Sequence, residues 1–87
     1  MDILKRASAG TMESSDAYVE VEPAETLAVE LQSVVQAQFG PAIEAAVADV
    51  AAQCGVTRGR VKVMDRGALE CVIRARVETA LLRGMED

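Results

Sequence analysis

The segment Ala9-Gly10-Thr11-Met12-Glu13-Ser14-Ser15-Asp16 sets two adjacent serine hydroxyls between two carboxylates, with small residues on the approach. A hydroxyl in an exposed turn is accessible to another enzyme. Glu13 and Asp16 also form a candidate acid–base pair. A polar turn leaves both in water, however, and nothing there desolvates a carboxyl so as to raise its pKa for proton donation. By residue type alone, Glu-Ser-Ser-Asp is equally the composition of an ordinary turn, because short polar side chains bond to nearby backbone.

The rest of the chain is informative mostly by what it omits. None of its 87 residues is a histidine, which removes Ser-His-Asp and Cys-His machinery. Cys54 and Cys71 are too few for a disulfide framework and lack a CxxC spacing, so they read as reduced, small apolar residues on helix faces. For Cys71 to act as a nucleophile, Arg74 and Arg76 would have to stabilise its thiolate, a minor alternative. The glycines at Ala9-Gly10 and Phe39-Gly40 do not make a phosphate loop, and no Asp/Glu cluster has calcium spacing. A self-contained enzyme is disfavoured, and no metal site is expected.

Positioning that turn requires elements on either side of it. Arg6 to Glu13 is small and polar, a strand only if it pairs with the next alternating run. Ala17 to Glu22 is that run, with Ala17, Val19 and Val21 on one face and Tyr18, Glu20 and Glu22 on the other, until Pro23 removes an amide donor. A second alternating run sends Leu27, Val29, Leu31, Ser33 and Val35 inward and Glu30 and Gln32 outward. From Pro41 the period becomes helical, with Ile43, Val47, Val50 and Cys54 in a stripe and Gly55 as the stop. Arg60 to Val63 alternates again. After Asp65-Arg66-Gly67 a second helix spans about Ala68 to Arg83, with Leu69, Val72, Ile73, Val77, Ala80 and Leu81 inward and Gly84 as its end. The order β-β-β-α-β-α predicts an α+β two-layer sandwich: a small, mainly antiparallel sheet covered on one face by two helices.

Length and charge set further bounds. The chain is expected to be one domain over residues 1–87, with a core but no large cleft of its own. Residues 1–50 hold two basic side chains against nine acidic ones, and residues 51–87 seven against five, for a net charge of −5. An acidic N-terminal half repels polyanions, and two aromatics, Tyr18 and Phe39, give bases little to stack on. Nucleic acid is therefore not an expected partner. No apolar run reaches the length of a membrane span, and Met1 to Gly10 lacks the apolar centre of a signal peptide, so a cytoplasmic location is expected. In the last helix, Glu70 and Arg74 have i,i+4 spacing, and Arg76 and Arg83 share roughly one face. Local pairing or solvation is the expectation for these arginines, contact with a phosphate or an acidic partner the sharper alternative.

Three separated blocks carry a resemblance: Glu13-Ser14 in its turn, Gln38-Phe39-Gly40-x-Ala42-Ile43, and Gly67-Ala68-Leu69-x-Cys71-x-Ile73-Arg74-Ala75-Arg76-x-Glu78. Together they resemble the acyl carrier (gamma) subunit family of bacterial citrate lyase over nearly the whole chain, Ala9 to Arg83. The resemblance implies that Ser14 carries phosphoribosyl dephospho-coenzyme A in phosphodiester linkage, with a terminal thiol that holds acetyl or citryl as a thioester. It implies partners as well: the alpha (acyl transferase) and beta (citryl lyase) subunits and the synthase that attaches the arm. The chain itself would be a non-catalytic shuttle. The family often has glycine where Ser15 stands, which puts the turn geometry in question and makes Ser15 a fallback acceptor. Carriers of citramalate lyase or malonate decarboxylase, and an unmodified assembly module, remain alternatives. A phosphopantetheine carrier would instead be a four-helix bundle with Asp-Ser-Leu at a helix start.

Overall fold

The computed structural model describes residues 1–33 and 36–86, with the side chains of 36–39 outside that set. Its elements are β1 (Ala7–Gly10), β2 (Ala17–Glu22), β3 (Leu27–Ser33), α1 (Gln36–Gln53), β4 (Gly59–Asp65) and α2 (Glu70–Met85). This is the expected β-β-β-α-β-α order. The sheet runs β1-β2-β4-β3, with β1–β2 and β2–β4 antiparallel and β3–β4 parallel. A parallel neighbour needs a crossover, and α1 supplies it between β3 and β4.

Alternation in β2 and β4 drives the layering. Ala17, Val19 and Val21 face Asp65, Val63 and Val61 across the ladder, and all six are buried under the helices. Their neighbours Tyr18, Glu20 and Glu22 stand opposite Met64, Lys62 and Arg60 on the face that no helix covers. There Arg60 pairs with Glu22 at 3.4 Å and with Glu30, and Arg6 with Glu22 at 3.3 Å. Helix α2 lies over β1 and β2, α1 over β3, and the two helices pack on one another. The core joins the sheet valines to Ile43, Val47, Val50, Ile73, Val77, Ala80 and Leu81.

Four expectations need correction. Leu69, expected inward on the second helix, precedes its first residue Glu70 and is exposed. Helix α1 begins at Gln36, so Pro41 lies inside it rather than at its first position. At the sixth position of α1, Pro41 has no N–H to give to the helix ladder, so the helix forgoes one main-chain bond there. Gly84 does not end α2: it is buried within the helix, where an added Cβ would sit 2.8 Å from Val21 Cγ2 and 3.2 Å from Ile3 Cγ2. Its missing side chain is what lets the helix approach the sheet, and the helix runs on to Met85. Strand β3 is an edge, so Val29 and Leu31 are only half-buried against the core and Leu27 is exposed; Val35 lies outside the described residues.

Two further details fix the frame. At the end of α1 the amide of Val56 donates to Ala51 O and that of Gly55 to Ala52 O, with Gly55 at φ +73°, the Schellman arrangement that the stop glycine predicts. The N-terminal residues are also part of the structure: Ile3 is buried, its amide bonded to Arg58 O, and Leu4 N donates to Gly84 O.

Candidate attachment site on the β1–β2 turn

Strands β1 and β2 are joined by residues 11–16, so Ser14 stands at the tip of a hairpin, exposed. Gly10 closes the strand at φ +95°, where a Cβ would fall 1.8 Å from Ala17 O; only glycine allows the strands to meet there. Beyond it, Asp16 N donates to Glu13 O at 3.2 Å, which closes a four-residue turn with Ser14 and Ser15 in its two central positions. Ser15 has φ +67°, and no other non-glycine residue among those described has a positive φ. Positive φ at the second central residue is the pattern that favours glycine in a type II turn. A serine there holds a left-handed conformation at a cost of about 1–2 kcal/mol.

What holds it is a set of bonds from two other elements. Ser15 N donates to Arg66 O at 2.8 Å and Arg66 N to Asp16 O at 2.9 Å, docking the turn onto the β4–α2 loop. That loop is stiffened by Asp65, buried at the end of β4. Its Oδ1 accepts the amides of Gly67 and Ala68 at 3.0 and 2.8 Å, and its Oδ2 accepts the hydroxyl of Ser33 at 2.8 Å. From α2, Arg76 reaches Asp16 with a two-pronged grip, Nε to Oδ1 at 3.0 Å and Nη2 to Oδ2 at 2.9 Å. Thr11 Oγ1 donates to Asp16 Oδ2 at 2.7 Å and accepts from Glu13 N at 3.2 Å, and Ala17 N donates to Asp16 Oδ1 at 2.7 Å.

Asp16 is thus not the solvated turn carboxylate expected from its neighbours. Four donors occupy the roughly four lone-pair sites that a carboxylate offers. The hydrogen bonds from Arg76, then Thr11, then Ala17 hold its pKa far below the usual 3.8. An anion so committed does not serve as a base for the serines beside it. Glu13, also a candidate, is exposed. Ser14 itself makes no hydrogen bond to any described residue, which leaves its hydroxyl free to accept a group.

The other sequence candidates lie apart from the turn. Arg74 pairs with Asp49 at 2.9 Å and with Glu70 at 3.4 Å, the latter at the expected i,i+4 spacing. Arg83 donates to Ser8 O at 2.8 Å. Both cysteines are free thiols: Cys71 is exposed, and burial, helped by Glu78, pushes the Cys54 thiol upward. A cavity of about 370 Å³ beside the β4–α2 loop is lined mainly by aliphatic groups such as Ala42, Ile43, Leu69 and Ile73. Sequence reasoning missed Asp65, although Asp two and three residues before the amides it caps is the signal of an Asx turn. It left Arg76 and Asp16 unconnected, since no local spacing links them.

A model of the ACP family, described as malonate decarboxylase delta subunit (MdcD), matches residues 4–84. The citrate lyase acyl carrier protein of Haemophilus influenzae (strain PittEE) is 49% identical over 87 residues, covering 100% of this chain and 92% of its own. The chain belongs to the citrate lyase acyl carrier protein family. Citrate lyase acyl carrier protein 2 of Salmonella typhimurium agrees to the same degree, 49% over 89 residues, again with 100% and 92% coverage. Among solved structures, a chain of a Pseudomonas malonate decarboxylase hetero-tetramer in complex with malonate superposes with a TM-score of 0.79 at 19% identity, over 95% of this chain and 87% of that one. At that identity the likeness speaks to the fold of this carrier family, not to its cargo.

Proposed function

We propose that this chain is the acyl carrier of a citrate lyase and that Ser14 is its point of covalent attachment for phosphoribosyl dephospho-coenzyme A. The observation that carries the reading is the exposed, unbonded Ser14 hydroxyl at the apex of a hairpin, between Glu13 and Ser15 whose backbones are both hydrogen-bonded, in a chain almost half identical to named citrate lyase carriers. A phosphodiester to a long arm asks nothing more of the carrier than such a hydroxyl, and these residues fit that demand. When bound, the group supplies a thiol that holds an acyl thioester; the protein supplies its location. Tethering keeps the thioester at high local concentration for each partner, here the transferase and lyase subunits, without a pocket in the carrier. An acidic N-terminal half complements basic entrances on those partners and on the attaching enzyme. A cytoplasmic setting accords with free thiols.

A second reading keeps the carrier role and changes the cargo. The family model's description and the Pseudomonas structure both name malonate decarboxylase, so a malonyl carrier is the alternative to set against citryl. Intact mass of the chain isolated from its native host tests both. An adduct of the arm's mass that maps to residues 9–18 supports the carrier, and citryl or malonyl loading of the thiol separates the two. Unmodified protein in an active complex would make the chain an assembly module instead.

A further inference from the structure

Ser14 and Ser15 present the same chemical group, side by side and both exposed. Their hydroxyls do not differ intrinsically, so selection between them has to come from how the backbone presents each one. We propose that Arg76, Asp16 and Thr11 form a latch that makes Ser14, and not Ser15, the acceptor. The inference rests on the carrier reading of Ser14 and assigns these three as positioning residues for attachment.

The latch acts on the turn from both sides. Asp16 is the last residue of the turn, and its carboxylate binds the hydroxyl of Thr11 at the start of the loop, while Thr11 in turn receives the amide of Glu13. Arg76 anchors that carboxylate to α2, which is packed on β1 and β2 and so moves with the core. With both ends fixed, the turn keeps Ser15 in its left-handed conformation, amide against Arg66 O; neither serine hydroxyl bonds to a described residue, so what separates them is the direction the backbone gives each. A strained serine persists only where its surroundings over-determine it. Release of the latch lets the turn relax to conformations in which the two hydroxyls exchange places.

The attachment step sets how much this matters. Ser14 Oγ forms a bond to phosphorus of a phosphoric anhydride donor, the bond from phosphorus to the donor's leaving phosphate breaks, and the Oγ proton passes to a base. Asp16 has no free site for that proton, so the base comes from the attaching enzyme, and the hydroxyl must be delivered to it in one place. Errors of an ångström in such placement cost up to about a hundredfold in rate.

The test follows the arm in the native host, with the chain, Arg76→Gln, Arg76→Lys and Thr11→Val each expressed as a pulse. Intact mass gives the rate of modification and peptide mapping over residues 9–18 gives the site. In Arg76→Gln and Thr11→Val we expect modification to slow about tenfold or more, with a share of the adduct on Ser15, while thermal melts show folded protein. Arg76→Lys, which keeps the charge but not the fork, should recover part of the rate and of the Ser14 preference. Thr11→Val breaks the network without touching α2, so the inference stays open to refutation even if Arg76→Gln fails to fold. Folded variants modified only at Ser14 and at the normal rate overturn the latch and leave the carrier reading standing. A natural chain unmodified at both serines overturns the carrier reading itself.

Discussion

Arg76 on α2 and Asp16 at the foot of the β1–β2 turn are 60 residues apart in sequence and meet through two hydrogen bonds of 3.0 and 2.9 Å. Side-chain exposures of 40% for Arg76 and 16% for Asp16 make the contact partly shielded, and its planar fork carries geometry as well as charge. It ties the serine turn to the element that forms half of the helical layer. The shape of the turn therefore has a defined mechanical origin: a strained turn on a hairpin, held by an ion pair from α2 and by a loop stiffened through Asp65.

That origin makes Asp16 a source of acid sensitivity. Its folded-state pKa is depressed below 3.8, so its contribution to stability is complete above that value and is lost as pH falls through the folded one. Urea midpoints of the natural chain and Asp16→Asn should differ by a constant amount near neutrality. The difference should start to shrink below 3.8 and go on shrinking to the lowest pH reached. A gap that stays constant or widens in acid would refute the assignment.

Ser14→Ala should abolish the covalent adduct while leaving the melting temperature within the small range typical of surface substitutions, about 0.5 kcal/mol in stability. The side chain makes no hydrogen bond to a described residue, so nothing in the fold depends on it. Mass spectrometry and a circular dichroism melt on one preparation decide it. Full modification of Ser14→Ala at Ser15 would assign the acceptor to the neighbour.

Two glycines with positive φ should respond differently to alanine. At Gly10 the new Cβ meets Ala17 O at 1.8 Å, main chain that cannot swing away, whereas at Gly55 nothing lies within 4 Å. Gly55→Ala should cost only the left-handed strain, about 1–2 kcal/mol. Gly10→Ala should cost more than that, on the order of 4 kcal/mol, and should displace the serine turn. Equal losses in chemical denaturation would mean that the hairpin does not close as described.

Periodicity made most of the frame legible, and its failures share a cause. Ile43, Val47 and Val50, or Ile73 and Val77, recur at helical spacing and are buried as that spacing predicts. A period says which face is apolar but not how completely a neighbour covers it. Val29 and Leu31 alternate as well as Val61 and Val63 do, yet β3 is an edge strand and β4 a central one. Likewise Gly84 carries the local signature of a helix stop, and only the proximity of Ile3 and Val21 shows that it is a contact. For the site, the hairpin tip could be read from the alternating strand of Ala17 to Glu22. The grip on Asp16 could not, because long-range pairing leaves no trace in spacing.

Edge and centre should also separate in energy. Val77 is fully buried under the sheet, and Val77→Ala should cost on the order of 2–3 kcal/mol, transfer and cavity together. Val29 packs against the same core but is half-buried, so Val29→Ala should cost roughly half as much. Denaturant midpoints at constant slope measure both. A larger loss at Val29 than at Val77 would contradict the strand order.

The purified chain alone should turn over neither citrate nor malonate, with or without the arm. Citryl cleavage needs an activated thioester and a group to take up charge or a proton at the developing oxaloacetate carbonyl. The turn offers only Asp16, whose oxygens are filled by Arg76, Thr11 and Ala17, and Glu13, which is exposed to water. Neither is a desolvated acid of the kind such chemistry requires. Ser14 makes no hydrogen bond to Glu13, Asp16 or any other described residue that could draw off its proton. Activity is expected only when the modified chain is combined with the transferase and lyase subunits, and it should vanish with Ser14→Ala while the complex still assembles on a sizing column. Turnover by the isolated chain would refute delivery as its role. Undiminished turnover by a complex built on Ser14→Ala would show that the hydroxyl at the hairpin tip is not where the cargo rides.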